Sequence, residues 1–214
     1  FGEAFLSPFI PQRARFALAV LYCKERQTSM QNKTVRIICE AALCVAMSAV
    51  LSYIKLDVGP SGGSINATMI PLILFAIRWG WGWGVGAGLV FGTLKYFLGE
   101  GMVINWISIV FDYSVAYAFV GFAGVLKRKS GLAWLSALIG SAARFVIHYI
   151  SGVTVYAQWM PEEFLGLTMT TPFFYSALYN LFYMLPSTVI SVVGVFALSK
   201  SAPIRRWLEG SDLK

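Results

Sequence analysis

Six apolar runs set the strongest constraint on what this chain can fold into. They cover roughly residues 34–55, 66–80, 82–98, 102–126, 131–158 and 172–199. Inside lipid, a backbone must satisfy its own hydrogen bonds, so apolar runs of this length are expected to be helices. Charged residues make up only 13% of the chain, whereas a soluble domain carries about 25%. The sequence therefore predicts an all-α membrane protein with a bundle of six transmembrane helices.

Basic residues mark one side of the predicted bundle. That side holds Lys33 and Arg36 in the N-terminal lead, Arg78 where the second run meets the third, the stretch 127–129, and Arg205 in the tail. The loops of the other side carry mainly acidic residues, namely Asp57, Glu100, Glu162 and Glu163. By the positive-inside rule, both termini are predicted to be cytoplasmic. The net charge of +7 is assigned to topology and to contact with membrane lipid headgroups, so nucleic-acid binding is not expected.

One domain is predicted between two end segments. Residues 30–200 form the transmembrane domain, and residues 201–214 form a cytoplasmic basic tail. In residues 1–29, the apolar stretch from Phe16 to Tyr22 is too short to span a bilayer. This N-terminal extension is interpreted as a mis-assigned start or an added segment. An amphipathic helix on the membrane surface is the alternative.

A single carboxylate lies far inside the fourth apolar run. Asp112 is about ten residues from the nearer end of that run, which at ~1.5 Å per residue is roughly 15 Å below the hydrocarbon edge. A charge at that depth is costly and usually marks a functional site. The only histidine, His148, lies at a similar depth in the fifth run, four residues after Arg144. A cation such as Arg144 would keep Asp112 ionised, and a plain ion pair between them is the alternative interpretation.

Further polar residues are predicted to lie near Asp112. Asn105, Ser108 and Asp112 are spaced i, i+3, i+7, so on an α-helix they share a face. They either support a site or form a polar seam between helices. Tyr175 and Asn180 lie near the outer start of the sixth run, and Asn180 is too deep to belong to an interfacial aromatic belt.

Two glycine- or alanine-rich segments suggest contact surfaces. The loop that contains Gly62, Gly63 and Ser64 is predicted to be a lid over the outer side of the site, or else a plain connector. It lacks the Gly-Lys-Ser/Thr ending of a phosphate loop. Ala42 and Ala46 in the first run form a small-xxx-small pair that lets another helix approach closely, within this chain or in a partner.

The composition of this predicted site suits an aromatic cation. A carboxylate supplies charge or accepts an amine hydrogen bond, and tyrosine rings add cation–π attraction of roughly 0.5–2 kcal/mol. The sequence has no metal-binding or hydrolase motif, and the three cysteines have no metal-like spacing. No metal or cofactor is therefore predicted. Nothing in the sequence resembles an ATP-binding fold, so active transport would need a partner.

Several short motifs occur in order between Thr34 and Lys200. They are Gly62-Gly63-Ser64-Ile65 with Met69-Ile70-Pro71, Arg78-Trp79-Gly80, Asp112-Tyr113, Arg144 with His148-Tyr149-Ile150-Ser151-Gly152, and Tyr175-Ser176-Ala177-Leu178-Tyr179-Asn180 with Tyr183-Met184-Leu185-Pro186-Ser187. Together they resemble the thiamine-specific S-components of energy-coupling-factor (ECF) vitamin transporters. An S-component is the membrane subunit that binds the substrate.

The resemblance implies a six-helix bundle in the bacterial cytoplasmic membrane that binds thiamine from outside. It implies docking on a transmembrane coupling protein driven by two ATPase subunits, and Ala42 and Ala46 match the motif that meets the coupling protein. The ligand contacts implied for this chain are Asp112, Tyr113, His148, Tyr156, Tyr175 and Asn180.

This chain also departs from the family pattern. Some members carry tryptophans where it has Gly62, or a neighbour, and Phe91, and many have glutamate in place of Asp112. Three alternatives stay open. They are an S-component for another vitamin or a pyrimidine precursor, an intramembrane enzyme that uses Asp112 and His148, and a structural membrane subunit.

Overall fold

A computed structural model describes residues 12–58, 63–99 and 105–213, with side chains described from Asn32 to Asp212. The chain is mostly helical, as predicted. One compact unit ends at Glu40, and a second runs from Ala41 onward. The α-helices are α1 (Gln12–Tyr53), α2 (Met69–Trp79), α3 (Trp81–Phe97), α4 (Trp106–Ser108), α5 (Ala116–Val120), α6 (Ala133–Thr154), α7 (Pro172–Lys200) and α8 (Ala202–Glu209). The strands are β1 (Lys55–Asp57), β2 (Ser64–Asn66), β3 (Glu163–Phe164) and β4 (Leu167–Thr168).

Four described segments are long and apolar enough to cross a membrane. They are Asn32–Tyr53, Trp106–Leu126, Ser130–Thr154 and Pro172–Lys200. Helix α2 is apolar but has only 11 residues, and it is separated from α3 by Gly80, whose φ of 96° suits glycine. The predicted fifth run to residue 158 is too long, because α6 ends at Thr154. Of the predicted N-terminal extension, residues 1–11 lie outside the described residues, and helix α1 already begins at Gln12.

The segment Trp106–Leu126 changes its helical type along its length. Asn105 caps its start, because its side chain accepts from the Ser108 N–H at 2.9 Å, and Ser108 forms the reciprocal half of a capping box. A π-helix then runs over Ile109–Val115, followed by α5 and a 3₁₀ turn over Gly121–Leu126. Asn105 has extended backbone, so the predicted α-helical face of Asn105, Ser108 and Asp112 is wrong. The first two are cap residues instead.

Two small antiparallel hairpins lie beside the site. Strands β1 and β2 pair with Leu56 opposite Ile65, and β3 pairs with β4 through a turn at Leu165 and Gly166. Hairpin β1–β2 leads directly into α2, and the β3–β4 hairpin leads into α7. Ile65 of the first hairpin and Phe164 of the second both pack against the buried tyrosines of α7, so both hairpins lie beside the first half of that helix.

The other end of the second unit is closed by the C-terminal helix. Arg78, at the end of α2, is fully buried. Its guanidinium donates to both carboxylate oxygens of Asp212 at 2.9 Å and to the main-chain carbonyl of Trp207. The same group lies over the rings of Trp79 and Trp207. Helix α8 ends at Gly210 in the left-handed region, which turns Asp212 back towards Arg78.

Candidate ligand-binding site

A cavity of about 300 Å³ lies between hairpin β1–β2 and the cavity-facing parts of α3, α6, α7 and the π-helix. This volume is at the lower end of the range for small-molecule sites. All six side chains predicted to contact a ligand line it together: Asp112, Tyr113, His148, Tyr156, Tyr175 and Asn180. Residues far apart in the sequence therefore converge on one hollow.

Asp112 offers one free carboxylate oxygen to this cavity. Its Oδ1 lies 3.3 Å from His148 Nδ1, and its side chain is 13% exposed. Its Oδ2 is buried and has no hydrogen-bond partner among the described residues. Leaving such an oxygen unsatisfied costs about 1–3 kcal/mol or more. A ligand that carries a positive charge or an amine donor would remove that cost.

His148 connects Asp112 with Arg144. Arg144 Nε donates to His148 Nε2 at 3.3 Å, while His148 Nδ1 faces Asp112. This pattern fits a neutral imidazole with its proton on Nδ1. The alternative of a direct Arg144–Asp112 ion pair is wrong for the described residues, because His148 stands between the two charges.

Two cations share one phenol at the wall of the cavity. Arg144 donates to the Tyr117 hydroxyl at 3.2 Å, and its guanidinium lies 4.2 Å from the centre of that ring. Lys95 donates to the same hydroxyl at 3.3 Å and is only 6% exposed. Both cations line the cavity with Asp112, so the cavity has an anionic part and a cationic part.

A ladder of tyrosines on α7 forms the aromatic wall. The ring centroids of Tyr175, Tyr179 and Tyr183 follow one another at 5.7 and 5.6 Å. The Tyr183 hydroxyl donates to Asn180 Oδ1 at 2.8 Å. Asn180 Nδ2 donates to the Ser176 carbonyl at 2.8 Å and approaches the His148 carbonyl at 3.4 Å. Asn180 therefore braces α7 against α6 as well as lining the cavity.

Tyr156 follows the end of α6 and lines the cavity, although an interfacial or packing role was an alternative. Its side chain is half-buried. Burial, and next the negative charge of Asp112, raise the pKa of the Tyr156 phenol above its usual value. The group therefore stays neutral across the physiological range, as a hydrogen-bond donor and stacking ring.

Hairpin β1–β2 covers the cavity through backbone as well as side chains. Gly63 N–H donates to the Tyr179 hydroxyl at 3.0 Å, and Ser64 lines the cavity beside it. Lys55 and Asp57 also line it and form an ion pair at 3.2 Å. Gly62, the third residue of the predicted lid, lies outside the described residues.

Some predicted residues lie elsewhere, and some cavity residues are not signalled by the family motifs. Asn105 belongs to the helix cap described above, and Ala42 and Ala46 are exposed on α1. Ser108 belongs to the same cap, but its side chain also hydrogen-bonds with Tyr156 of the cavity. One cavity cation that sequence reasoning missed is Lys95. It is the only charged residue between Arg78 and Glu100, but it lies three residues from the end of the predicted third run, where a lysine side chain can reach the membrane surface, so the depth argument applied to Asp112 does not single it out.

Comparison with known proteins gives consistent matches. The model of the family described as "Thiamine transporter protein (Thia_YuaJ)" matches residues 38–206. "Thiamine transporter ThiT" of Bacillus subtilis is 31% identical over 189 residues, covering 81% of this chain and 95% of the relative. ThiT of Lacticaseibacillus paracasei is 30% identical and also covers 81% of this chain, with 91% of its own length matched. A solved structure of ThiT from Listeria monocytogenes matches with a TM-score of 0.72 and 27% identity, covering 81% of this chain and 98% of that one.

These matches decide the class of protein. The relatives are named as transporters, so the role is transport and the intramembrane enzyme considered above is set aside. With four described segments long enough to cross a bilayer, the chain is a multi-pass protein of the cell membrane. Because the family model covers residues 38–206, the chain belongs to the thiamine transporter protein family.

Proposed function

We propose that this chain binds thiamine in the cavity around Asp112 and takes part in thiamine uptake. The observation that carries the proposal is the buried, unpartnered Oδ2 of Asp112 at a cavity walled by tyrosines. Thiamine joins a cationic thiazolium to an aminopyrimidine. A carboxylate can face the first ring or accept from the amine of the second, and tyrosine faces attract the cation.

The other proposed contacts follow from the same geometry. Tyr113, Tyr156 and Tyr175 contact the ligand with their aromatic rings. His148 and Asn180 form hydrogen bonds with its polar atoms. Arg144 supports the site through His148. Gly63 and Ser64, with Gly62, form a lid, and the contact between Gly63 and the Tyr179 hydroxyl supports that role.

The membrane arrangement is part of the proposal. Six spans with both termini in the cytoplasm would put the cavity on the outside, ready to capture the vitamin. The basic residues of the sequence support this orientation. Arg78 and the C-terminal helix would then lie at the cytoplasmic face, where Arg205 and Arg206 are exposed to anionic lipid headgroups.

Energy for uptake is proposed to come from an ECF module. The chain would act as its S-component, docking on the transmembrane coupling protein that two ATPase subunits drive. Ala42 and Ala46 support this, because both are exposed on α1 and such small pairs allow close helix contact.

A ligand panel tests the binding proposal. Purified protein in detergent is titrated with thiamine, with its aminopyrimidine precursor, and with riboflavin. Thiamine should bind most tightly, because only thiamine combines the cationic ring with the aminopyrimidine. Equal or tighter binding of the precursor would mean that the natural ligand is a pyrimidine and not thiamine. Absence of binding for every compound would overturn the proposal.

A docking variant tests the coupling proposal separately. Ala42→Leu combined with Ala46→Leu should abolish thiamine uptake in vesicles that also hold the coupling protein and ATPase subunits, while thiamine affinity is unchanged. Met47→Leu, at an exposed position on another face of the same helix, is the matched control. Normal uptake by the double variant would contradict docking through this face.

A further inference from the structure

A π-helical turn places two adjacent residues in the cavity. Asp112 and Tyr113 both lie in the π-helix Ile109–Val115, and both line the cavity with Tyr117. Neighbouring residues on an α-helix point in directions about 100° apart, as 3.6 residues per turn requires. The i→i+5 turn of a π-helix is wider, so adjacent side chains within it differ in direction by less than 100°. Asp112 and Tyr113 can therefore both face the same cavity, and Tyr117 follows in α5.

The π-turn rests directly on glycines of α3. A Cβ added at Gly92 would overlap the Tyr113 carbonyl oxygen and come within 3.0 Å of the Ser114 Cα. A Cβ at Gly88, one turn earlier, would overlap the Tyr117 carbonyl in the same way. Because these contacts are with backbone, no side-chain rotation can relieve them. At the same level, Thr93 Oγ1 and Ser114 Oγ form a hydrogen bond of 3.0 Å.

Two other glycines of α3 have no such neighbours. Among the described residues, a Cβ at Gly82 or at Gly86 would meet nothing within 4 Å. Gly84 does lie close to the backbone of Gly121, so the close approach follows the one side of α3 that faces the segment Trp106–Leu126. Gly86 provides a matched control, since an alanine there makes the same chemical change on the same helix without touching the π-turn.

We infer that Gly92 is a positioning residue of the ligand site. Its missing side chain lets the π-turn lie against α3, with the Tyr113 carbonyl seated on Gly92, and this seating directs Asp112 and Tyr113 into the cavity. Gly92 touches no ligand itself and acts through those two residues. The inference rests on the proposed function only where thiamine affinity is the readout.

Thiamine affinity gives the first test. Gly92→Ala should weaken thiamine binding at least about tenfold, because a displacement of the Asp112 carboxylate forfeits most of a charge-assisted hydrogen bond. Gly86→Ala should stay within about twofold of the wild type, as for an open surface position. Thr93→Ala removes the bond to Ser114 without adding bulk and should weaken binding by about two- to fivefold. Thr93→Ala provides the affinity test if Gly92→Ala does not fold.

A double-mutant cycle separates positioning from general damage to the fold. If Gly92 acts through Asp112, the loss caused by Gly92→Ala should shrink to less than about threefold in the Asp112→Asn background, because coupled sites are not additive. In the Asn180→Ala background, on α7, the full loss should remain. Equal losses in both backgrounds would mean that Gly92 has only a structural role.

A ligand-free readout keeps the inference distinct from the thiamine proposal. With Cys23, Cys39 and Cys44 replaced by serine, the Asp112→Cys variant reports exposure to the cavity through its rate of reaction with a charged thiol reagent. Gly92→Ala should lower that rate at least about fivefold, since accessibility controls thiol modification, and Gly86→Ala should not. If thiamine does not bind the wild type, the proposed function is contradicted and this inference is not. If Gly92→Ala leaves the labelling rate of the Asp112→Cys variant unchanged, this inference is contradicted and the proposed function is not.

Discussion

Two buried arginines, one beside the C-terminal helix and one beside the cavity, have very different surroundings. Arg78 is 0% exposed and is held by both oxygens of Asp212, by a main-chain carbonyl and between two tryptophan rings. Arg144 is 7% exposed, and its hydrogen-bond partners are the neutral groups of Tyr117 and His148. Among the described residues, no carboxylate pairs with it directly.

The difference separates structural charge from functional charge. At the Arg78 end, the chain supplies its own counter-ion, so the charge is neutralised and fixed. At the Arg144 end, the nearest carboxylate keeps one oxygen unsatisfied towards a cavity. Buried charge that a protein leaves incompletely paired is expected where a ligand completes it. The following changes test that contrast.

The largest expected effect is on stability, at the Arg78 end. Asp212→Ala leaves a buried guanidinium without its counter-ion, which should lower the free energy of unfolding by roughly 3 kcal/mol. Thiamine affinity should stay the same, because the cavity is at the other end of α7. Thermal unfolding in detergent measures the stability, and titration with thiamine measures the affinity. Glu209→Gln, at the exposed carboxylate that ends α8, keeps an oxygen that can accept from Ser130 and should leave the midpoint nearly unchanged.

The next effect is on binding, at the cavity end. Asp112→Asn removes the charge but keeps the size of the side chain, so thiamine affinity should fall about 10- to 100-fold, the equivalent of a charge-assisted hydrogen bond of ~1.5–3 kcal/mol. The ligand-free protein should lose little stability, because Oδ2 has no partner to lose and asparagine keeps an oxygen that can accept from His148 Nδ1. Isothermal titration gives the affinity, with Glu163→Gln as the exposed control. An unchanged affinity would remove Asp112 from the site.

Tyr117→Phe should affect both properties to an intermediate degree. The change removes the acceptor that Arg144 and Lys95 share, and should lower the free energy of unfolding by about 1–2 kcal/mol. Thiamine affinity should fall several-fold as the cations reorient. A variant with wild-type stability and affinity would show that the shared phenol holds neither cation in place.

The smallest effect is expected at Tyr156. Tyr156→Phe keeps the ring and loses only the hydroxyl, so affinity should fall by no more than about fivefold. Because the pKa of Tyr156 is raised, the phenol stays protonated from pH 7 to about pH 10. It therefore adds no pH dependence to binding in that range. Titrations of the wild type and the variant should give parallel pH profiles, and a divergence above pH 8 would contradict the raised pKa.

The sequence predicts the helical class and the convergence on Asp112 because both follow from the cost of polar groups in lipid. Apolar runs must become helices, and a deep carboxylate needs a cavity or a partner. The same cost explains why His148 and Asn180 lie at the same hollow. These inferences need no knowledge of how the helices are packed.

Other features depend on packing that a single sequence does not encode in its periodicity. The π-turn at Ile109–Val115 arises where the backbone lies against Gly92, and no residue pattern of period 3.6 reveals it. The spacing of Asn105 predicts a position on the helical face of Asp112, whereas in the structure Asn105 caps the start of α4. The Arg78–Asp212 contact joins residues far apart in the sequence, and its arginine has the loop position typical of a topology signal.

The hydrogen bond from Gly63 to the Tyr179 hydroxyl has a kinetic consequence. If ligand exchange proceeds past hairpin β1–β2, departure must first break this tether, and the breaking rate then limits how long a vitamin molecule stays bound. Tyr179→Phe would then shorten the residence time while leaving the arrival rate almost unaltered. A single phenolic oxygen would in this way set the dissociation rate of the ligand.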